Sequence, residues 1–267
     1  MSPPIRLIST DFDGTLYSEF SRPHVPDVLQ EMIRELQEEG AAWVINTGRD
    51  LSSLMEGMAR CKLRIKPDYL VVVEREIYVH ERSQYVEVED WNKGCRQAHA
   101  ALFKTIAPDL PALITWVQNR FKATIYEDTF SPFCLTADTN EEADALCASL
   151  DEYCSSIPNL SLVRNDVYAR FSHDSYNKGT ALGEIARRIG APASSVLAAG
   201  DHYNDLPMLA RQFAGFLVAP DNAIGPVKEL VRQQQGFVSS FSCGHGVADG
   251  LSFHLGRPGF ISSPPGG

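Results

Sequence analysis

Nowhere does the sequence sustain an apolar run close to the roughly 20 residues that a helix needs to cross a bilayer. Its opening residues, Met1-Ser2-Pro3-Pro4-Ile5-Arg6, contain no basic segment followed by an apolar stretch, so no signal peptide is expected. Stripes of lysine and arginine are missing too, and the formal net charge is −10. A protein that grips phosphodiester backbones needs such stripes, which excludes nucleic acid as a main partner. The six cysteines, Cys61, Cys95, Cys134, Cys147, Cys154 and Cys243, form no CxxC pair and no Cys/His cluster at zinc-finger spacing. They are expected to be free thiols in a reducing cytosol. These absences describe a soluble, cytoplasmic protein with no membrane partner, a monomer or a dimer.

What is present is a chain of 267 residues, 44% hydrophobic and 22% charged, enough for one large domain or two modest ones. Ile5 to Thr10 reads as a buried strand running into Asp11-Phe12-Asp13-Gly14-Thr15. A helix is expected over about Pro26 to Glu39, with Val28, Leu29, Met32, Ile33 and Leu36 on one face and Gly40 as its stop. Ala42 to Ile45 reads as a strand ending in Asn46-Thr47-Gly48-Arg49, then a helix over Asp50 to Arg60 and a strand over Tyr69 to Val73. This alternation predicts a parallel sheet with helices on both faces.

The alternation breaks from about Val79 to His173, where candidate strands come in pairs: 122–126 with 133–136, and 160–163 with 167–171. Helices at about Asn92–Ala107 and Glu141–Cys154 lie between them. Hairpins with helices suggest an α+β insert. The first pattern resumes at Asn177, with helices over about 178–189, through Leu206 and Leu209, over 222–234 and over 247–255, and strands over 195–199 and 215–218. The expected fold class is α/β: a doubly wound, Rossmann-like parallel-sheet core at 1–78 and 175–257, an inserted α+β cap at 79–174, and a flexible tail at 258–267.

Polar clusters follow the apolar runs. Asp11/Asp13, Thr47/Gly48 and Asp201 each stand immediately after a predicted strand, and Lys178 opens a helix where the core resumes. In an open parallel sheet the carboxyl ends of neighbouring strands form the ligand crevice, so these groups are expected to converge. Such a crevice suits phosphoryl transfer, whose transition state spreads negative charge over three equatorial oxygens. Asp11 can attack phosphorus. Asp11 and Asp201 can hold a Mg²⁺, an ion that takes a few carboxylates plus water and phosphate oxygens. Lys178 adds a point charge, and the Thr47 hydroxyl and Gly48 N–H can donate to the phosphate. Asp13, two residues from Asp11, can protonate the leaving oxygen; the like charge of Asp11 would favour its protonated form. Singly, each cluster also has a plain reading as a turn or a solvated helix start. Their order and their places at strand ends carry the inference.

Those residues resemble the haloacid dehalogenase superfamily, subfamily IIB, in the Cof-like branch with a type C2B cap that includes sucrose-phosphatase-like enzymes. Asp11-Phe12-Asp13-Gly14-Thr15-Leu16, Thr47-Gly48-Arg49, Asn177-Lys178-Gly179-Thr180 and Gly200-Asp201-His202-Tyr203-Asn204-Asp205 match its four motifs, and Ala219-Pro220-Asp221-Asn222-Ala223 also resembles this branch. The resemblance implies Asp11 as nucleophile and Mg²⁺ ligand, Asp13 as acid/base lending its main-chain carbonyl to the metal, Asp201 as second carboxylate ligand, and Thr47 and Lys178 on the phosphoryl group. It implies that Asn204 supports the phosphate and that Asp205 supports the metal site from behind, through water or Lys178. The expected activity is Mg²⁺-dependent hydrolysis of a small phosphorylated metabolite, such as a sugar phosphate, through an aspartyl-phosphate. A phosphohexomutase-type phosphotransferase is the alternative among enzymes, and a non-catalytic binding module the alternative outside them. One departure stands out: where this branch often has Asn-Gly after the third strand, Glu74-Arg75-Glu76 stands here.

Overall fold

Strand β1 (Leu7–Thr10) alternates its side chains between two cores, Leu7 into one and Ile8 into the other, because successive residues of a strand face opposite sides. The computed structural model describes residues 5–257, so the expected tail at 258–267 lies outside the described residues. Helix α1 (Asp27–Glu38) buries Leu29, Met32, Ile33 and Leu36 at helical spacing against one face of the sheet. Strand β2 (Ala42–Asn46), helix α2 (Leu51–Cys61), capped by the Asp50 side chain, and strand β3 (Tyr69–Val72) follow.

The chain then departs from expectation. Strands β4 (Glu76–Glu81) and β5 (Gln84–Glu87) pair antiparallel, β4 on β3 and β5 on β4, and so extend the larger sheet. Residues 79–87, expected in the cap, are hydrogen-bonded to the core sheet, and Ile77 is buried in its second cluster. The break in strand–helix alternation marks a change of strand direction, not the domain boundary.

The inserted unit runs from α3 (Glu89–Ile106) through α4 (Leu110–Gln118), β6 (Ala123–Tyr126), β7 (Cys134–Ala137), α5 (Asn140–Ser155) and β8 (Leu160–Asn165) to β9 (Tyr168–His173). Helix α4 was not expected. Pro111 lies in its first turn, where no amide donor is required. The four strands form an antiparallel sheet in the order β6-β7-β9-β8. Its separate core includes Phe133 and Phe171, stacked at 4.5 Å, with Leu135, Leu146, Leu150 and Val117.

The core resumes with α6 (Lys178–Ile189), β10 (Val196–Ala199), β11 (Phe216–Ala219), α7 (Gly225–Gln233), β12 (Phe237–Val238) and α8 (Cys243–His254). The helix expected through Leu206 and Leu209 is absent; a single 3₁₀ turn at Tyr203–Asp205 stands there. Pro207 lacks an amide hydrogen to continue a helix, and the Asp205 carboxylate is turned back onto the Asp201 and His202 amides.

The eight-stranded sheet has the order β12-β11-β10-β1-β2-β3-β4-β5, parallel from β12 to β3. The order of connection reverses at β1: β2 and β3 follow on one side, β10, β11 and β12 on the other. Thr10 pairs with Ile45 and with Ala199, so Asp11, Asn46 and Gly200 stand at one level at the carboxyl ends of their strands. This is the switch point where such sheets hold ligands. No single helix among the described residues is long and apolar enough to cross a membrane. All six cysteines are free.

Candidate active site

Lys178 is wholly buried at the first turn of α6, an unfavourable place for a cation beside the positive end of a helix. It stays there because its Nζ donates to Asp11 Oδ1 and to Asp205 Oδ1, each at 2.6 Å. A reciprocal cap between Asn177 and Thr180 fixes the start of the helix, and Asn46 Nδ2 donates to the Lys178 carbonyl at 2.9 Å. Burial works against the Lys178 charge, but Asp11 and Asp205 outweigh it and raise its pKa.

Three carboxylates, Asp11, Asp201 and Asp205, each offer an oxygen within 4.8 Å of one another. One ammonium cannot neutralise three carboxylates. Burial pushes Asp11 well above the ordinary range, with Lys178 opposing and Asp205 and Asp201 adding. Burial, helped by Asp205, pushes Asp201 up to about 7, against a hydrogen bond from Thr15. Asp205 is occupied: Oδ1 takes Lys178, and Oδ2 takes the amides of Asp201 at 2.8 Å and His202 at 2.9 Å. Asp201 Oδ1 takes the Thr15 hydroxyl at 2.5 Å, leaving Oδ2 beside Gly14. A Cβ on Gly14 would lie 2.5 Å from that oxygen, and its φ of +76° also favours glycine. Asn222 Nδ2 holds the Gly14 carbonyl at 2.8 Å. Asp11 and Asp201 are thus the carboxylates with room for a hard divalent cation, and the excess of buried negative charge fits one.

Asp11, Asp13, Thr47 and Gly48 line one cavity of about 150 Å³. Its other walls are Arg49 and Glu74 from the core and Asn165 and Tyr168 from the β8–β9 hairpin. Asp13 differs from expectation in its neighbour. Its two oxygens accept from Arg49 Nε and Nη2, both at 2.7 Å, so an opposite charge and not the like charge of Asp11 is its direct partner. Asn204 lines a second cavity of about 450 Å³ with Lys178, and its Nδ2 donates to Glu74 Oε1 at 3.2 Å. The structure therefore gathers every residue singled out at the strand ends and places Asn204 at their flank.

Contacts between core and cap frame the site. Arg170 is buried and donates from Nη2 to Glu74 Oε2 at 2.7 Å. Arg164 stacks over Tyr203 at 4.7 Å and pairs with Asp144. The Asp166 amide donates to the His202 ring, which places His202 in the core–cap contact and not in the cavity. Trp43 is packed with its Nε1 on Thr10, and Trp91 donates to the Arg75 carbonyl. Sequence reading missed Thr15, Glu74 and Arg170. Thr15 had a signal, since it stands in the same loop as the aspartates; Glu74 was visible only as a departure, and Arg170 gave none.

The sequence profile of sucrose-6F-phosphate phosphohydrolase matches residues 4–255. The chain belongs to that family. It is a haloacid dehalogenase superfamily hydrolase, and its activity class is phosphoric monoester hydrolase. Among curated relatives of this sucrose-phosphatase-like chain, a phosphoglycolate phosphatase of Methanoculleus marisnigri is 27% identical over 228 residues, covering 85% of this chain and 87% of its own. The 5-amino-6-(5-phospho-D-ribitylamino)uracil phosphatase of Bacillus subtilis is 24% identical over 258 residues, covering 92% and 94%. The fold matches the sucrose-phosphatase of Synechocystis, solved with sucrose and phosphate, at a TM-score of 0.67 and 18% identity over 95% of this chain and 98% of that one. A haloacid dehalogenase-like hydrolase from B. subtilis matches at a TM-score of 0.63 and 18% identity, over 93% and 99%.

Proposed function

We propose that this phosphatase hydrolyses a small phosphomonoester of the sugar-phosphate kind, with Asp11 as nucleophile and Asp13 as acid/base. The observation that carries this reading is that Asp11 lies 2.6 Å from Lys178 Nζ and lines one cavity with Asp13, Thr47 and Gly48. An Asp11 oxygen forms a bond to phosphorus as the bond to the leaving oxygen breaks, and Asp13 delivers the proton that this oxygen needs. Water then attacks the aspartyl-phosphate, Asp13 takes its proton, and the bond from phosphorus to Asp11 breaks. Lys178, the Thr47 hydroxyl and the Gly48 amide bind the phosphoryl oxygens, with Asn204 at their flank; Asp205 keeps Lys178 charged and in place. Asp11 and Asp201, with the Asp13 carbonyl, would hold Mg²⁺, which would supply positive charge to the phosphoryl oxygens.

The test is p-nitrophenyl phosphate hydrolysis with Mg²⁺, wild type against Asp11→Asn. Release of phosphate by the wild type and its loss in the variant supports the reading; equal activity in both overturns it.

A further inference from the structure

Val72 C=O accepts from the Arg75 amide at 3.0 Å, closing the turn between β3 and β4 around Val73 and Glu74. Both central residues have positive φ, 45° and 67°. A turn with positive φ at both positions suits Asn-Gly, and a β-branched valine and a glutamate are poor occupants. Left-handed non-glycine residues are strained and persist where their surroundings hold them. Here the Val73 amide donates to Arg49 C=O at 2.8 Å and the Glu74 amide to Thr47 C=O at 2.9 Å. The strained turn is thus tied to the loop that carries Thr47 and Gly48, and it presents Glu74 to the reaction cavity.

We propose that Glu74 determines which leaving groups this site accepts, admitting neutral polyhydroxy groups and rejecting those that carry a carboxylate. The inference rests on the phosphomonoester reading of the cavity. Glu74 lines both the 150 Å³ and the 450 Å³ cavities, so a leaving group reaching from one to the other passes it. Its Oε1 lies where a Cβ on Gly48 would be 3.0 Å away, so the carboxylate borders the expected phosphate loop. Arg170 and Asn204 fix its orientation, one on each oxygen, and leave each oxygen a lone pair for a hydroxyl donor. Burial would raise its pKa, but Arg170 holds it below the usual range, so it remains an anion. Arg49, the cation among the described residues lining the smaller cavity, is committed to Asp13 and Ser53. An acidic leaving group would meet a fixed carboxylate there, and the cations that line the two cavities, Arg49, Lys178 and Arg164, are each committed, to Asp13, to Asp11 and Asp205, and to Asp144.

The test compares kcat/KM for glycerol 3-phosphate and 3-phosphoglycerate, which differ by a hydroxymethyl against a carboxylate, in wild type and in Glu74→Gln. The wild type is expected to prefer the neutral ester by about tenfold or more, as like-charge juxtaposition predicts. The glutamine variant should narrow that ratio by raising kcat/KM for 3-phosphoglycerate, with p-nitrophenyl phosphate turnover as the reference for intact chemistry. Equal or reversed preference in the wild type overturns the inference without any variant, while p-nitrophenyl phosphate hydrolysis leaves the phosphatase reading standing. Should Glu74→Gln unfold by stranding Arg170, Glu74→Gln with Arg170→Met removes both charges. An unchanged ratio in the folded variant means that Glu74 only anchors the cap, and it overturns the inference.

Discussion

Arg49 grips Asp13 through both carboxylate oxygens, 2.7 Å on each side, and its Nη1 reaches the Ser53 hydroxyl at 3.3 Å. A planar fork on a carboxylate fixes direction as well as distance. Arg49 is therefore read as the group that aims Asp13 across the cavity.

That reading predicts a dependence on the leaving group. Asp13→Asn should lower kcat/KM, which reports the step that releases the leaving group, by about 10²–10⁴-fold on an alkyl phosphate, the usual worth of a positioned acid. The loss on p-nitrophenyl phosphate should be smaller, because p-nitrophenolate leaves without a proton. Arg49→Ala should show the same signature more weakly, and Arg49→Lys should restore only part of the activity. Equal losses on both substrates would contradict the assignment of Asp13 as acid.

Lys178→Met leaves Asp11 and Asp205 buried without their cation. Removing one partner of a buried ion pair costs about 3–5 kcal/mol. Urea denaturation at pH 8 should show a loss of that order and a smaller one at pH 5, where a carboxyl can take up a proton. A variant as stable as the wild type at pH 8 would mean that these carboxylates are not held by Lys178.

The raised pKa of Asp201 sets a pH dependence with a definite sign. An unfolded aspartate titrates near 4 and the folded Asp201 near about 7, so between these values the native state holds the extra proton. Metal-free stability should fall as pH rises from about 4 to about 7, and level off above that range. Mg²⁺ binds the ionised carboxylates, so its effect on Tm should be smallest at pH 5 and largest above pH 7. Thermal melts in EDTA and in Mg²⁺ across this range check it; a Mg²⁺ effect that shrinks with rising pH would refute it.

Gly14→Ala should act on the metal more than on the fold. The added carbon would come 2.5 Å from Asp201 Oδ2 and displace the carboxylate, whose other oxygen, Oδ1, is held by the Thr15 hydroxyl. Loss of a group that orients a ligand typically costs about 10–100-fold in metal affinity. The Mg²⁺ concentration for half-maximal activity should rise by that order, and an unchanged value would place the cation away from Asp201.

The strand ends were legible in the sequence because each is a short apolar run stopped by a polar cluster, and parallel pairing brings such stops together. Asp11, Thr47 and Asp201 needed no more than this. The contacts that orient them were hidden because they are tertiary: Thr15 meets Asp201 across 186 residues, Glu74 meets Arg170 across 96 and Asp13 meets Arg49 across 36. The β4–β5 hairpin misled because antiparallel strands look alike in a cap and at the margin of a mixed sheet. Helix α4 carries Pro111, a helix breaker at interior positions, in its first turn, where it is tolerated.

The strand order has a consequence for synthesis. Strand β1 lies between β2, which follows it closely, and β10, which comes only after the whole cap. As the chain leaves the ribosome, β1 pairs on one side and keeps a bare edge on the other until residues 196–199 emerge. The inserted unit, contiguous and with its own hydrophobic centre, is free to fold in the interval. The reaction pocket therefore cannot close before Lys178 and Asp201 have emerged, and a chain interrupted before Lys178 presents an unpaired strand edge, the feature that invites association with other chains.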